Sequence, residues 1–177
     1  MSILKVARMG HPVLRRRARE VEKAELLQPA IQQFIDDLID TMHEYHGVGL
    51  AAPQVHHGLR IFVAAISPAE EEPLEPDTDP LVFVNPVITP AGADVYDDWE
   101  GCLSIPDLRG RVPRVRAITV TALDRTGRRM EFPSTDFPAR VIQHETDHLD
   151  GVLFLDRMRD LGTPSFLDEY QRYWTKD

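Results

Sequence analysis

From Pro29 the apolar residues Ile31, Phe34, Ile35, Leu38, Ile39 and Met42 recur every three or four positions, the spacing that lays a single stripe along a helix. Pro29 suits the first helical turn, where a missing N–H leaves no bond unmade, and Gly47 marks the expected end. Three apolar runs follow, Leu59–Ile66, Leu81–Ile88 and Ala117–Leu123. In the last, Ile118, Val120 and Ala122 alternate with Thr119 and Thr121, the period of a strand with one buried face. Asp124-Arg125-Thr126-Gly127 then supplies turn residues before Arg128–Phe132, which predicts a hairpin. A second helix is expected to open near Thr135 or Asp136, either of which can cap it, with Pro138 in the first turn and Gly151 as the stop. A third is expected from Thr163-Pro164, carrying Phe166, Leu167, Tyr170, Tyr173 and Trp174. No internal repeat is visible.

At 177 residues the chain fits one domain with a real core, residues 1–177. The net charge of −9, from 20 basic and 29 acidic side chains, argues against wholesale attraction to phosphate backbones, so free DNA and RNA are not expected partners. Glu70, Glu71, Glu72, Glu75, Asp77 and Asp79 crowd into 68–80 together with Pro68, Pro73, Pro76 and Pro80. Prolines deny the backbone its ladder donors, so this stretch is expected to be a solvated insertion loop. Cys102 is the sole cysteine, which leaves no intramolecular disulfide and nothing pointing to an oxidising compartment. The arginine-rich start (Arg8, Arg15, Arg16, Arg17, Arg19) lacks the apolar core of a secretion signal; its arginine content alone leaves a transit peptide open, although the apolar residues between the charges read as part of the folded domain. No run approaches the roughly 20 apolar residues of a membrane span. A soluble, cytoplasmic protein is expected.

The second helix contains His144-Glu145-Thr146-Asp147-His148. This H-E-x-x-H pattern sets two imidazoles four residues apart on one face, within reach of one metal ion. It arises by chance in about two of a hundred chains of this composition, so its setting must carry the argument. At 100° per residue, His144 and His148 lie within about 40° of each other, on the same stripe as Phe137 and Val141. Both histidines should therefore face inward, where imidazoles need partners. Glu145 falls beside the stripe, placed to exchange a proton with a water at the ion rather than to bind the ion, which is the position of a general base.

Catalytic metals commonly take three protein ligands. The candidates for the third are Cys102, an acid, or one of His11, His43, His46, His56 and His57. Those histidines sit in polar stretches beside Gly or Pro, whereas Trp99–Pro106 is an apolar segment that can hold a thiolate rigidly, so Cys102 is preferred. Gly47–Gln54 matches G-x-G-x-x-A, but the dinucleotide fingerprint needs a strand before it and a helix after. Here a helix precedes and Pro53 interrupts. Two close glycines instead suit a backbone that another chain can approach.

Gly47–Gln54, Glu100–Pro106 and Gln143–Gly151 together resemble the three defining motifs of peptide deformylases, in the same order and without a mismatch. The resemblance runs from Val6–Leu14 to Leu153–Asp156. It implies an α+β fold with antiparallel strands around a central metal-bearing helix, and hydrolysis of the formyl group from the N-terminal methionine of nascent polypeptides, with formate released. It also implies that Cys102, His144 and His148 hold the metal, that Glu145 handles protons, and that Gln54 with the backbone N–H of Leu103 binds the developing oxyanion. The substrate is expected to lie as an extended strand along Val48-Gly49, with Glu100 and Gly101 on the same track and the methionine side chain among Val48, Phe137 and Val141.

A thiolate and two imidazoles suit Zn2+, Fe2+, Co2+ or Ni2+ alike; the resemblance points to Fe2+ as the native ion, with the others able to substitute. A transient ribosome contact is expected from co-translational work. The insertion 68–80 and the segment after Asp156 depart most from the family pattern. The nearest enzyme alternative is a zincin-like metallopeptidase, which shares the H-E-x-x-H pattern and Glu base but is disfavoured by Cys102 and Gln54. A non-catalytic structural metal module would have four protein ligands and no spare Glu.

Overall fold

The structure, a computed structural model, describes residues 2–67 and 79–175. Most of the expected insertion loop at 68–80 lies outside the described residues. In chain order the elements are α1 (Lys23–Leu26), α2 (Pro29–Glu44), β1 (Gly49–Ala51), β2 (Ile61–Ala64), β3 (Leu81–Pro90), β4 (Val95–Cys102), β5 (Ile105–Val115), β6 (Ala117–Leu123), β7 (Arg129–Thr135), α3 (Asp136–Leu149), α4 (Phe154–Arg157), β8 (Ser165–Phe166) and α5 (Leu167–Tyr173). Single 3-10 turns occupy Pro12–Arg15 and Ala52–Val55.

The stripe read from the sequence is the buried face of α2. Phe34, Ile35, Leu38 and Met42 are enclosed, packed with Leu50 of β1, Ile61 and Val63 of β2 and Val84 of β3 in one apolar cluster. A five-stranded antiparallel sheet runs in the order β1-β2-β3-β6-β7, and a smaller antiparallel sheet in the order β4-β5-β8. The predicted hairpin is β6–β7, in register from Ala117↔Thr135 to Leu123↔Arg129. Its turn is fastened by Asp124, whose carboxylate accepts from the N–H groups of Thr126 and Arg128, and by Gly127 at φ +76°.

α3 is buried from Ala139 to Leu149, which explains the placement of chemistry on it. Ala139, Ile142 and Leu149 pack with Phe62, Phe83, Ile118 and Val120 of the larger sheet. The opposite side meets β5 through polar groups: Gln143 donates to Val115 O (2.9 Å) and Arg140 to Val112 O (2.8 Å). Thr135 takes the N-cap position, but its side chain makes no capping bond. Asp136 turns instead at φ +49° and pairs with Arg116.

Three expectations are corrected. The run Leu59–Ile66 yields only the strand Ile61–Ala64. The third helix opens at Leu167, because Ser165–Phe166 first pairs with Leu108 and Arg109 of β5. And β4 with β5, the longest hairpin, has no counterpart among the predicted strands. Its sequence carries Asp97, Asp98, Pro106, Pro113 and four arginines over Arg109–Arg116, a composition depleted in strands. Pairing across eight register positions makes it a hairpin nonetheless.

Gly151, the predicted stop of α3, sits at φ +75°. A Cβ there would lie 2.8 Å from the backbone C and O of Arg15, so both conformation and space demand glycine. Gly151→Ala is expected to destabilise by about 3 kcal/mol and lower the melting temperature by about 6–12 °C. A calorimetric shift below about 2 °C would contradict this account.

Candidate active site

Three separate segments converge on one cavity of about 840 Å³. The middle of α3 brings His144 and Glu145 to its wall, with His148 almost wholly enclosed behind them. The end of β4 and the turn into β5 bring Glu100, Gly101, Cys102 and Leu103, and β1 with its 3-10 turn brings Val48, Gly49 and Gln54. The chain's start stitches the last two together, since Ala7 N–H donates to Gln54 O and Met9 N–H to Ser104 O, both at 2.7 Å.

The potential ligand atoms of Cys102, His144 and His148 all lie within 4.8 Å of one another, and Cys102 Sγ is 3.2 Å from His148 Nε2. Burial pushes the Cys102 thiol up, but the charge of His148 and the hydrogen bonds and charge of His144 and His148 outweigh it and hold the thiol well below its ordinary value. A thiolate and two enclosed imidazoles suit a divalent transition ion. His11, His43, His46, His56 and His57 are all exposed and join no such group.

His144 owes its orientation to Glu100. Nδ1 donates to Glu100 Oε2 at 2.9 Å, which leaves Nε2 for a ligand. Glu100 is expected on the substrate track, and it does line the cavity. Both its oxygens, however, are engaged by buried groups: Arg114 Nε and Nη2 donate at 2.9 and 3.0 Å, and Arg140 Nη1 at 2.8 Å. Burial pushes this carboxyl up, yet the hydrogen bonds from His144 and Arg114 prevail and hold it well below the usual carboxylate range. Its carboxylate therefore orients His144, with both oxygens already engaged. Arg114 also bonds Asp147 at 2.5 Å, and Asp147 in turn receives Arg157. Arg114, Arg140, Asp147 and Arg157 went unnoticed in the sequence. The signal available was the charge within the helix motif itself, since a buried helix bearing Asp147 demands cationic partners.

Glu145 Oε2 is buried without a hydrogen-bond partner, and burial pushes the carboxyl up to about 7 against the opposing charges of His144 and His148. Gly49 gives it room: a Cβ there would lie 2.5 Å from Glu145 Oε1 and 2.8 Å from Cδ. The glycine thus serves the approach of Glu145 as well as leaving β1 open. Gln54 is fixed at its amide oxygen, which accepts from Ala51 N–H at 2.8 Å. Its Nε2 consequently points to Cys102 Sγ (3.5 Å) and Ser104 Oγ (3.3 Å). Ser104, fully buried, is a further residue the sequence reading missed.

Val141 is buried as expected, while Phe137 on the same stripe is 55% exposed, because the first turn of α3 projects to the mouth of the cavity. Gly47–Gln54 forms an edge strand and a 3-10 turn, not the strand–turn–helix of a dinucleotide site.

Fold and site together define an α+β hydrolase in which one cysteine and the two histidines of an H-E-x-x-H helix could hold a metal ion. The family profile described as polypeptide deformylase matches residues 3–163, and the chain belongs to that family. It is 43% identical to peptide deformylase 2 of Nostoc sp. (strain PCC 7120 / SAG 25.82 / UTEX 2576), over 99% of this chain and 97% of that one. It is likewise 43% identical to peptide deformylase 1 of Prochlorococcus marinus (strain MIT 9313), over 97% and 88%. Among solved structures, the Met-Ala-Ser-bound class I type b peptide deformylase from Acinetobacter baumannii superposes with a TM-score of 0.80 at 39% identity, covering 89% of this chain and 99% of that chain. Peptide deformylase from Thermotoga maritima gives 0.79 at 34% identity, covering 90% and 100%. The zincin-like alternative is set aside by this kinship.

Proposed function

We propose that this chain removes the formyl group from the N-terminal methionine of nascent polypeptides in the cytoplasm, releasing formate and a free α-amino group. The observation that carries the reading is the convergence, in one cavity, of Gln54 Nε2, the Cys102–His144–His148 group and the unpartnered Oε2 of Glu145. No helix among the described residues is long and apolar enough to cross a membrane.

Cys102, His144 and His148 would hold one divalent ion, which supplies Lewis acidity toward water and the formyl oxygen. The chain's own groups do the rest. Glu145 takes a proton from the attacking water as its oxygen bonds to the formyl carbon. It then returns that proton to the methionine nitrogen as the C–N bond breaks. Charge that builds on the formyl oxygen meets two fixed donors, Gln54 Nε2 and the N–H of Leu103, each able to lower the barrier by about 3 kcal/mol.

β1 and β4 are end strands of their sheets, so each offers an unpaired backbone edge to an extended peptide. Val48, Phe137 and Val141 line the cavity and are proposed to receive the methionine side chain. The test is formate release from formyl-Met-Ala-Ser, compared with acetyl-Met-Ala-Ser, Met-Ala-Ser and an unblocked internal peptide. Only the formyl peptide should be processed efficiently; cleavage of the internal peptide without deformylation would overturn the proposal.

Fe2+ is proposed as the native ion, with Zn2+, Ni2+ or Co2+ able to substitute, and a transient ribosome contact as the setting. Cys102 is then the side chain open to oxidation when ferrous iron meets oxygen. Metal-free protein loaded anaerobically with each ion should lose activity in air in the iron form and keep it with nickel or cobalt. Full, air-stable activity with zinc, equal to that with iron, would refute the assignment.

A further inference from the structure

We propose that Trp99, braced by α5, forms a second side-chain subsite that takes an apolar or aromatic side chain from the residue after the N-terminal methionine. This rests on the deformylase reading and extends it to the next substrate position. The cavity does not stop at the inner face of β4. Glu100 points inward to α3, while Trp99 and Gly101 lie on the opposite face, as strand alternation requires, and both line the same cavity together with Leu167. The groove therefore wraps over the free edge of β4 onto its outer side.

On that side Trp99 is clasped by aromatic rings. Tyr170 of α5 lies 4.9 Å from it, centroid to centroid, and Trp174 lies 5.5 Å away, both tilted. Such pairs add attraction beyond the area they bury. α5 is anchored at its start by β8, where Phe166 pairs with Leu108 of β5. The bracing segment, β8 and α5 with Trp174, follows residue 163, where the family match ends, while Trp99 itself lies within it.

Alternation decides which substrate residue arrives there. Along a strand added to the edge of β4, successive side chains point to opposite faces. With the methionine turned inward to Val141 and Phe137, the next side chain is turned outward to Trp99 and Leu167. Arg109 stands beside this wall; a Cβ on Gly101 would come within 2.5 Å of its Cζ. Its charge disfavours a cationic side chain and leaves the indole and Leu167 as the attractive surface.

The experiment compares metal-loaded holoenzyme on formyl-Met-Xaa-Ser, with Gly, Asp, Lys, Leu or Phe as Xaa. kcat/KM for Phe and Leu should exceed that for Gly and Lys by about tenfold, mainly through KM. In Trp99→Ala the ratio should collapse to within about twofold. Trp174→Ala should reduce it in the same direction, and Trp174→Phe should restore it. A second readout needs no turnover: the chain has two tryptophans, both in this cluster, so emission excited selectively from tryptophan reports on it alone. Titration with Met-Phe-Ser should shift or quench the emission, and Met-Gly-Ser should do so far less. A flat profile at Xaa, or a preference that survives Trp99→Ala, overturns the subsite while leaving deformylation intact. No hydrolysis of any formyl peptide overturns the deformylase reading instead, and the fluorescence titration then decides the subsite separately.

Discussion

Glu145→Gln is expected to bind its metal ion at near-normal stoichiometry while deformylation falls by about 10²–10⁴-fold. The Cys102–His144–His148 group is complete without Glu145, so the substitution removes no ligand. Nor should it disturb packing: glutamine has nearly the same shape, in a site so close that a Cβ on Gly49 would already meet the carboxylate. What is lost is the ability of Oε2, which has no hydrogen-bond partner of its own, to accept a proton from water and return it to the leaving nitrogen. His144→Ala is the contrasting variant, because it deletes a ligand and should lose the ion. Metal analysis and formate release on the same preparations separate the two cases. Metal loss in Glu145→Gln as severe as in His144→Ala would show that the carboxylate helps to hold the ion, and the proton-carrying role would fall.

Arg114→Ala is expected to destabilise the fold by about 3 kcal/mol and to weaken metal binding by about 10–100-fold, although Arg114 touches neither ion nor substrate. Its guanidinium is 4% exposed and spans Glu100 and Asp147. Removing it leaves two buried carboxylates short of a partner, and such groups cannot recover their hydration. The remaining bonds, Arg140 to Glu100 and Arg157 to Asp147, place the effect at the lower end of the range for broken buried pairs. Glu100 orients His144 through Nδ1, so a loosened Glu100 loosens a residue proposed to hold the metal. The melting temperature should drop by about 6–12 °C. Arg114→Lys should recover only part of either loss, because an ammonium cannot reproduce the forked contact with both acids. A variant that melts within about 2 °C of the parent and binds metal normally would mean that the arginine is merely tolerated there.

What the sequence determined by itself was whatever depends on neighbours a few positions apart. The stripe from Ile31 to Met42 is α2 because a 3.6-residue period needs no distant partner to be read. The alternation in Ala117–Leu123, the Asp124–Gly127 turn and the four-residue spacing of His144 and His148 are local in the same way, and so is the inward aim of both imidazoles. Motif order along the chain was enough to suggest the family. Tertiary structure decided what joins residues far apart in sequence. β4 and β5 form a hairpin against their composition, since pairing with each other and packing against α3 override weak strand propensity. Glu100 meets His144 across 44 positions and Arg114 meets Asp147 across 33, so the sequence could place Glu100 beside the ligands but could not show that its carboxylate was already engaged. The segment after residue 163, legible only as an aromatic helix, becomes a brace for Trp99 because β8 pins its start to β5. Period and spacing are written along the chain, whereas desolvated charge pairing and ring contact exist only between surfaces that folding brings together.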